Sequence, residues 1–324
     1  MKLGTLEITF HRTVRVPDAR QPSNLPPSLG RMELYPVSQY AERCPKNWDP
    51  EGYIMALHDT EAMWMSFTPR RPVALLVGAG GINALNGDKL GTTLAKDNYL
   101  VAPPQPWLDG WKDLDGTVYQ FVATPQQKGK GISVAEQLMG SESKTGAIGI
   151  ALFDPKHDKA LKPTVPPMEG YSGSIAGDDF QWTKTAGSHA GKNGLTDSFG
   201  MAEVQCSTTL CSKEKVAPPA KARGLNAGLK FSEMGLGRGG KITQKIYPDP
   251  HGLDVWQTEP SATLATYLVN AKVFEQITGQ KVPEPVAHEL YQGHWFGMKD
   301  SEQGDSRGHR SSPGSRAPSS RRPI

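Results

Sequence analysis

Hydrophobic and polar residues alternate along the first part of the chain. The apolar residues stand at even-numbered positions, at Leu6, Ile8, Phe10, Val14 and Val16, and polar or charged residues stand at the odd-numbered positions. A period of two residues predicts a strand with one buried face and one exposed face. Arg12 interrupts the apolar parity, which indicates a bulge or a strand end at that point.

From residue 52 to residue 124 the apolar residues come in short runs that turn-forming residues separate. Regularly spaced short runs of this kind predict an antiparallel sheet. The runs at residues 119–123 and 147–153 are apolar at both parities, so we expect these two strands to be covered on both faces.

The glycine-rich run "PVALLVGAGGINALNG", residues 72–87, suggests a nucleotide-binding strand and turn at first sight. A dinucleotide-binding fingerprint needs a third glycine and a following helix, but Asn83 stands at the third position and a second turn follows it. A phosphate-binding P-loop needs a Lys-Ser or Lys-Thr pair, which this run lacks. We therefore predict a hairpin here, followed by a turn at Asn86 and Gly87.

Helix signals are few and short. Ser133 and Glu136 form a capping box ahead of a two-turn helix that ends at Gly140. Asn270 can cap a second helix, which Gly279 ends. The predicted fold class is therefore α+β and strand-dominated: a mostly antiparallel sheet or partly closed sandwich with two or three short helices.

Composition changes along the chain and sets the predicted domains. The 35 glycines and 27 prolines indicate a turn-rich chain. Residues 1–153 and 233–299 are predicted to form one β-rich domain, because the second piece is too small to bury its apolar residues alone. Residues 154–232 lack sustained periodicity and are predicted to be a long low-complexity insertion, partly disordered. Residues 300–324 are predicted to be a disordered Arg/Ser-rich tail.

Charge and hydropathy exclude several classes of function. The formal net charge is only +3, so no strong basic field indicates a nucleic-acid partner. The chain has 3 cysteines, which argues against a disulfide scaffold. It has no apolar run of about 18 residues, so we expect no membrane span. The N-terminus lacks the apolar core of a signal peptide, and the sequence therefore predicts a soluble, intracellular protein of the cytoplasm.

Several motifs occur together in a fixed order, among them "PQPWLDGW", "VAEQLMGSE", "MGLGRGGKITQKIYPDPHGLDVW" and "LVNAKVFEQITG". In this combination the chain resembles a family of bacterial and fungal proteins of unknown function. The resemblance extends from Gly4 to Phe296, apart from the central insertion. It implies no activity, cofactor or catalytic residue.

One candidate for catalytic chemistry is the segment "YPDPHGLD". Asp249, His251 and Asp254 could hold a divalent metal or act as acid and base. A rigid turn, with Asp249 in an Asx-type hydrogen bond, explains the same residues. His58 and Glu61 form a second conceivable acid–base pair, although a polar loop before an apolar strand explains them as well.

Two further segments suggest ligand binding. Arg238, Lys241 and Lys245 in "GRGGKITQK" could bind an anion together with the glycine amides, unless they form a solvated strand face. The segment "KITQKIY" predicts a strand, and Lys241 and Lys245 would point to the same face of it. A second set of residues could line a ligand groove, unless it packs a loop onto the sheet: Trp64, Trp107, Asp109 and Trp111.

No catalytic constellation is complete in the sequence, so the preferred hypothesis is a soluble binding or interaction protein without catalytic activity. A small anionic ligand or a protein partner would suit it, and no cofactor or metal is assigned. The alternative is a metal-assisted or acid–base hydrolase with its site near Asp249, His251 and Asp254.

Overall fold

This computed structural model describes residues 1–125, 133–139, 146–156, 161, 171–176, 179–184 and 234–285. The described residues belong to one compact unit, Met1–Val286. The strands are β1 Lys2–Leu3, β2 Leu6–Thr13, β3 Gly30–Arg31, β4 Tyr35–Pro36, β5 Tyr53–Ala56, β6 Ala62–Pro69, β7 Val73–Ala79, β8 Ile82–Asn83, β9 Leu100–Ala102, β10 Trp107–Leu108, β11 Gly110–Lys112, β12 Val118–Pro125, β13 Ile148–Phe153, β14 Tyr171–Ala176, β15 Asp179–Lys184, β16 Met234–Ile242 and β17 Ala262–Val269. The helices are α1 Val134–Met139 and α2 Ala271–Thr278.

Within the described residues, eight strands form one sheet, which we call sheet I. Its central order is β1-β2-β6-β12-β11, with β3 paired to β2, β10 to β6 and β16 to β12. The alternation predicted for the N-terminus is confirmed at Leu6, Ile8 and Phe10, which are buried, but β2 ends at the buried Thr13, before Val14 and Val16. β2 pairs with β6 from Leu6 opposite Pro69 to Thr13 opposite Ala62.

Seven of the described strands form a second sheet, sheet II. Its order is β4-β5-β17-β13-β7-β8, with β9 paired to β7, and the pairing of β5 with β17 is parallel. The hairpin predicted in the glycine-rich run is confirmed, since β7 turns at Gly80 and Gly81 and pairs antiparallel with β8. A Cβ atom at Gly78 would lie 2.1 Å from the carbonyl oxygen of Ile82, so this glycine permits the close approach of the two strands.

The inner faces of the two sheets bury one large hydrophobic core. Sheet I contributes large side chains such as Phe10, Met65 and Phe121, and sheet II contributes Leu75, Ile150 and others. Two sheets that share one core, with two α-helices among the described residues, confirm the predicted strand-dominated α+β class.

The outer face of sheet II is covered by apolar groups in two places. Helix α2 buries Val273, Phe274 and Ile277 against one end of this face. The turn that contains Trp256 covers the other end. As predicted, the Asn270 side chain accepts a hydrogen bond from the amide of Val273, and Gly279 ends α2 in the left-handed conformation.

The outer face of sheet I is polar instead. The chain after β2 crosses the part of this face formed by β12. There the amide of Gln120 holds the crossing backbone, accepting from the Val16 amide at 2.8 Å and donating to the Val14 carbonyl at 3.0 Å. Farther along β2 and β6, this face carries His11, Trp64 and Ser66.

Two expectations about strands need correction. The segment "KITQKIY" was predicted to be a strand, but β16 ends at Ile242 and the following residues leave the sheet. Beyond the end of β16, the Gln244 side chain donates to the carbonyl of Trp107 in β10. The predicted insertion also contains an unexpected hairpin, β14–β15, whose Gly and Ser residues hide its alternation.

Part of the predicted insertion, including residues 185–232, and the predicted tail at residues 300–324 lie outside the described residues. No helix in the described part of the chain is long and apolar enough to cross a membrane.

Candidate functional site

Strands β2 and β6 place His11 and Trp64 directly opposite each other on the outer face of sheet I. The two rings stack, with centroids 3.9 Å apart and an angle of 11° between their planes. Both side chains are half-buried. This stacking holds the Trp64 indole in one orientation, because hydrogen bonds at both ring nitrogens hold His11 in place.

His11 joins two serine hydroxyls. Its Nε2 lies 2.9 Å from Ser66 Oγ, and its Nδ1 lies 2.9 Å from Ser28 Oγ. Burial, and in second place the positive charge of Arg31, lowers the pKa of His11 to about 4. The imidazole is therefore neutral at pH 7, so one nitrogen donates its hydrogen bond and the other accepts.

Strand β10 brings Trp107 and Asp109 to the same face. Trp107 pairs with Ser66 and Leu108 pairs with Met65, whose side chain lies in the core between the sheets. Because neighbouring side chains in a strand point to opposite faces, Trp107 lies on the outer face. Asp109 is the first residue after β10, and the same alternation continued by one residue places it on the outer face as well. Continuing the antiparallel register by one residue brings Asp109 to the level of Trp64.

Asp109 is the most unusual group on this face. Its side chain is 0% exposed, and neither carboxyl oxygen has a hydrogen-bond partner among the described residues. Burial raises the pKa of Asp109 to about 8, although its own backbone amide opposes the change. The carboxyl is therefore mostly protonated at pH 7, since an ionised carboxylate without partners is very costly in the interior.

A second polar group on the face is also unsatisfied. The Nε1–H of Trp64 is buried and has no hydrogen-bond partner in the described part of the chain. Buried polar groups in folded proteins are nearly always hydrogen-bonded, and exceptions call for a bound molecule or a functional reason. Here one donor and one carboxyl group are unsatisfied on adjacent strands.

Two glutamine side chains hold the backbone at this position. The Gln244 amide accepts from the Asp109 amide at 3.3 Å and donates to the Trp107 carbonyl at 2.9 Å. Gln105 also donates to the Trp107 carbonyl, at 2.9 Å, and accepts from the Tyr247 amide at 3.0 Å. Two segments that the sequence had suggested separately, "PWLDGW" and "GRGGKITQK", are therefore joined through these side chains.

The glycines of both segments are explained by packing. A Cβ atom at Gly110 would lie 2.0 Å from the carbonyl oxygen of Tyr119, and one at Gly240 would lie 2.2 Å from that of Pro17. A Cβ atom at Gly239 would lie 2.5 Å from Cγ2 of Val122. These glycines let neighbouring segments of the backbone approach closely. This packing accounts for the glycines without any role in binding an anion.

Not every predicted groove residue reaches the outer face. Trp111 lies in the core between the sheets, edge-on to Phe121 at 5.3 Å, and its Nε1 donates to the Gly237 carbonyl at 3.2 Å. The side chains that the structure brings together on the outer face are Trp64, Trp107 and Asp109.

The predicted basic residues occupy separate environments. Arg238 pairs with Asp113 at 2.7 Å and lies over the Tyr119 ring, and its hydrogen bond is the main reason why the pKa of Asp113 is lowered. Lys241 pairs with Tyr119 in the ladder between β12 and β16. Lys245 is exposed, with Nζ 5.1 Å from the centroid of the Tyr247 ring.

Asp249 lies at the outer side of sheet II and binds the turn around it. Its Oδ2 accepts from the Tyr99 hydroxyl and from Trp256 Nε1, both at 2.7 Å, and its Oδ1 accepts from the His251 amide at 2.8 Å. The last contact is an Asx-type turn. Burial and the hydrogen bond to Asp249 raise the pKa of Tyr99. The His251 Nε2 is buried without a partner among described residues, and Asp254 is exposed.

This arrangement gives a prediction for Asp249. We expect Asp249→Ala to lower the free energy of unfolding by roughly 2–4 kcal/mol, because it leaves the Tyr99 hydroxyl and the Trp256 indole N–H without their acceptor. Urea denaturation checks this, with the exposed Asp254→Ala as the matched control. An Asp249→Ala variant as stable as the control would contradict the structural role.

The other acid–base candidate, Glu61, forms a buried ion pair with Arg12. Arg12 Nε donates to Glu61 Oε1 at 2.9 Å, and Arg12 Nη2 donates to Glu61 and to the Glu284 carbonyl. The His58 amide donates to Glu61 Oε2, and His58 Nε2 donates to the Pro283 carbonyl at 2.8 Å. These contacts fasten the segment after α2 to the end of β2.

Breaking this ion pair should weaken the attachment of that segment. We expect Glu61→Gln to cost roughly 2–4 kcal/mol of stability, because it leaves the Arg12 guanidinium, only 12% exposed, without its counter-charge. Limited proteolysis should cut the variant near residue 284 sooner than the parent chain. Asp18→Asn, which breaks the exposed pair with Arg15, is the control and should behave like the parent chain.

The described residues contain no group of three or more His, Cys, Asp or Glu side chains placed to hold one metal ion. Sequence reasoning did not find His11, Ser66, Gln105 or Gln244. The N-terminal alternation put His11 on the polar side of its strand, but only the pairing of β2 with β6 places Trp64 against it.

Comparison of the chain with protein-family models, with curated proteins and with solved structures found no match. The family resemblance of the motifs therefore stays a prediction.

Proposed function

We propose that this chain is a binding protein that acts without catalysis, and that its ligand site is the outer face of sheet I around Trp64, Trp107 and Asp109. The observation that carries the proposal is the buried Asp109 carboxyl, whose two oxygens have no hydrogen-bond partner among the described residues. Ligand sites combine aromatic walls with a few polar groups that converge on the ligand.

The aromatic part of the site supports the same proposal. Trp64 and Trp107 flank Ser66 on the face, and both are half-buried. Indoles offer a large flat surface together with a polar N–H group, which suits a ligand that has both apolar and polar parts. The outer face of sheet II differs, because apolar clusters around α2 and Trp256 cover it.

The hydrolase alternative near Asp249 is less well supported. Both oxygens of the Asp249 carboxylate already accept hydrogen bonds from neutral donors, and Asp254 is exposed. Glu61 is bound to Arg12 in a different part of the fold. The anion-binding proposal for Arg238 has to overcome its existing ion pair with Asp113.

A thermal-shift screen against a chemically mixed library of small molecules tests the proposed function. We expect at least one compound to raise the melting temperature of the parent chain, because a ligand that binds only the folded state stabilises it. The same compound should fail to stabilise a Trp64→Ala/Trp107→Ala variant that remains folded by circular dichroism. Stabilisation that persists in this variant, or none with any compound, would refute the proposed site.

A further inference from the structure

The unsatisfied groups on the outer face of sheet I differ in kind. Trp64 Nε1–H can only donate a hydrogen bond, whereas the protonated Asp109 carboxyl has an O–H group that donates and a carbonyl oxygen that accepts. The register of β10 on β6 ends with Leu108 opposite Met65, and its continuation by one residue places Asp109 at the level of Trp64. A single group that both donates and accepts can satisfy them together, and a hydroxyl is such a group.

We propose that Trp64 and Asp109 form the polar end of a site for an uncharged, hydroxyl-bearing ligand with a flat apolar face, as a neutral sugar presents. This inference rests on the proposed function and specifies its ligand class. The half-buried indoles of Trp64 and Trp107 meet the ring of the ligand, so only a hydroxyl group has to reach the buried carboxyl.

Charged ligands suit these groups less well. A cation could pair with an ionised Asp109, but it would leave the Trp64 N–H without an acceptor. An anion could accept from that N–H and from the O–H of the protonated Asp109 carboxyl, but it would offer no donor to the remaining carboxyl oxygen. The neighbouring imidazole of His11 is neutral at pH 7 and so adds no positive charge beside Trp64.

Aromatic contact supplies the remaining selectivity. His11 covers one face of the Trp64 ring, and this stacking holds the indole at a fixed angle. Trp107 stands beside Ser66, the partner of His11 Nε2. A pre-positioned indole loses little conformational freedom on binding, which favours the binding of a ligand that makes only weak contacts, such as a sugar.

Titration with neutral sugars tests this inference. The probes are cellobiose, maltose, N,N′-diacetylchitobiose and sucrose at millimolar concentration, followed by tryptophan fluorescence and saturation-transfer NMR. Glucuronic acid and glucosamine are the charged controls. We expect at least one neutral sugar to bind and both charged sugars to bind more weakly.

Two variants locate the binding. Trp64→Phe keeps a stacking ring but removes the N–H, and Asp109→Leu keeps a similar side-chain size but removes both carboxyl oxygens; each should weaken binding about tenfold or more. Trp48→Phe is the matched control, because Trp48 stacks on Tyr267 on the other sheet. Circular dichroism confirms that each variant is folded.

The possible outcomes separate the two proposals. If library compounds bind through Trp64 and Trp107 but no neutral sugar does, the ligand class is refuted and the proposed function stands. If a sugar binds equally well to the parent chain and to both variants, the placement at Trp64 and Asp109 is refuted. If nothing binds, an internal water is the only partner of these groups, and both proposals fail.

Discussion

Asp109→Asn should stabilise the protein at high pH and leave its stability almost unchanged at low pH. The carboxyl of Asp109 is buried, and its pKa is raised to about 8 in the folded chain. In the unfolded chain an aspartate has a pKa of about 3.9. Asparagine has a similar shape and carries no charge at any of these pH values.

The sign of the effect follows from proton binding. Between about pH 4 and pH 8 the unfolded chain has released the Asp109 proton, while the folded chain keeps it. The stability that Asp109 contributes is therefore complete below about pH 4 and falls as the pH rises to about 8. At pH 8–9 we expect the variant to be more stable than the parent chain by roughly 2–5 kcal/mol.

Urea denaturation of both chains at several pH values between about 4 and 9 measures this difference. Asp59→Asn is the control, since Asp59 is exposed and its carboxylate stays in solvent in both states. A stability difference for Asp109→Asn that is constant over the whole range would show that the carboxyl is not held as a buried acid.

Gly110→Ala should destabilise the protein severely or prevent its folding. The added Cβ atom would lie 2.0 Å from the carbonyl oxygen of Tyr119, and both the oxygen and the glycine belong to paired strands that cannot move apart easily. The strand after Asp109 would have to shift away from β12. We expect a loss of more than about 3 kcal/mol, beyond the usual range for point substitutions.

The matched control is Gly91→Ala, because the nearest heavy atom to its added Cβ would be the amide nitrogen of Thr93 at 4.0 Å. The yield of folded protein and urea denaturation compare the two variants. Equal midpoints of unfolding would mean that β11 and β12 are not as closely paired as the structure places them.

Local signals in the sequence determined much of the fold. Strict alternation placed β2, the asparagine and glycine around α2 fixed both of its ends, and the paired glycines after β7 required a hairpin. These signals are local because a strand period, a helix cap or a left-handed turn depends on residues close together in the chain. The α+β class follows from counting such elements.

The candidate site could be predicted only in part. The sequence suggested Trp64, Trp107 and Asp109 as binding residues, but it grouped Trp111 with them, and the structure puts that side chain in the core. Trp107 and Leu108 pair with β6, whereas Gly110 and Trp111 pair with β12. The spacing of the two tryptophans in "PWLDGW" does not show that the chain changes its partner strand between them.

By itself the sequence determined the strand-dominated class, the two ends of α2 and the turn at the glycine-rich run. Only the tertiary structure decided that His11 stacks on Trp64, that Gln244 binds the edge of β10 instead of extending β16, and that the Asp109 carboxyl is buried without a partner. The physical reason is that these features depend on contacts between residues distant in sequence, and burial of a charge is a property of the whole assembly of strands.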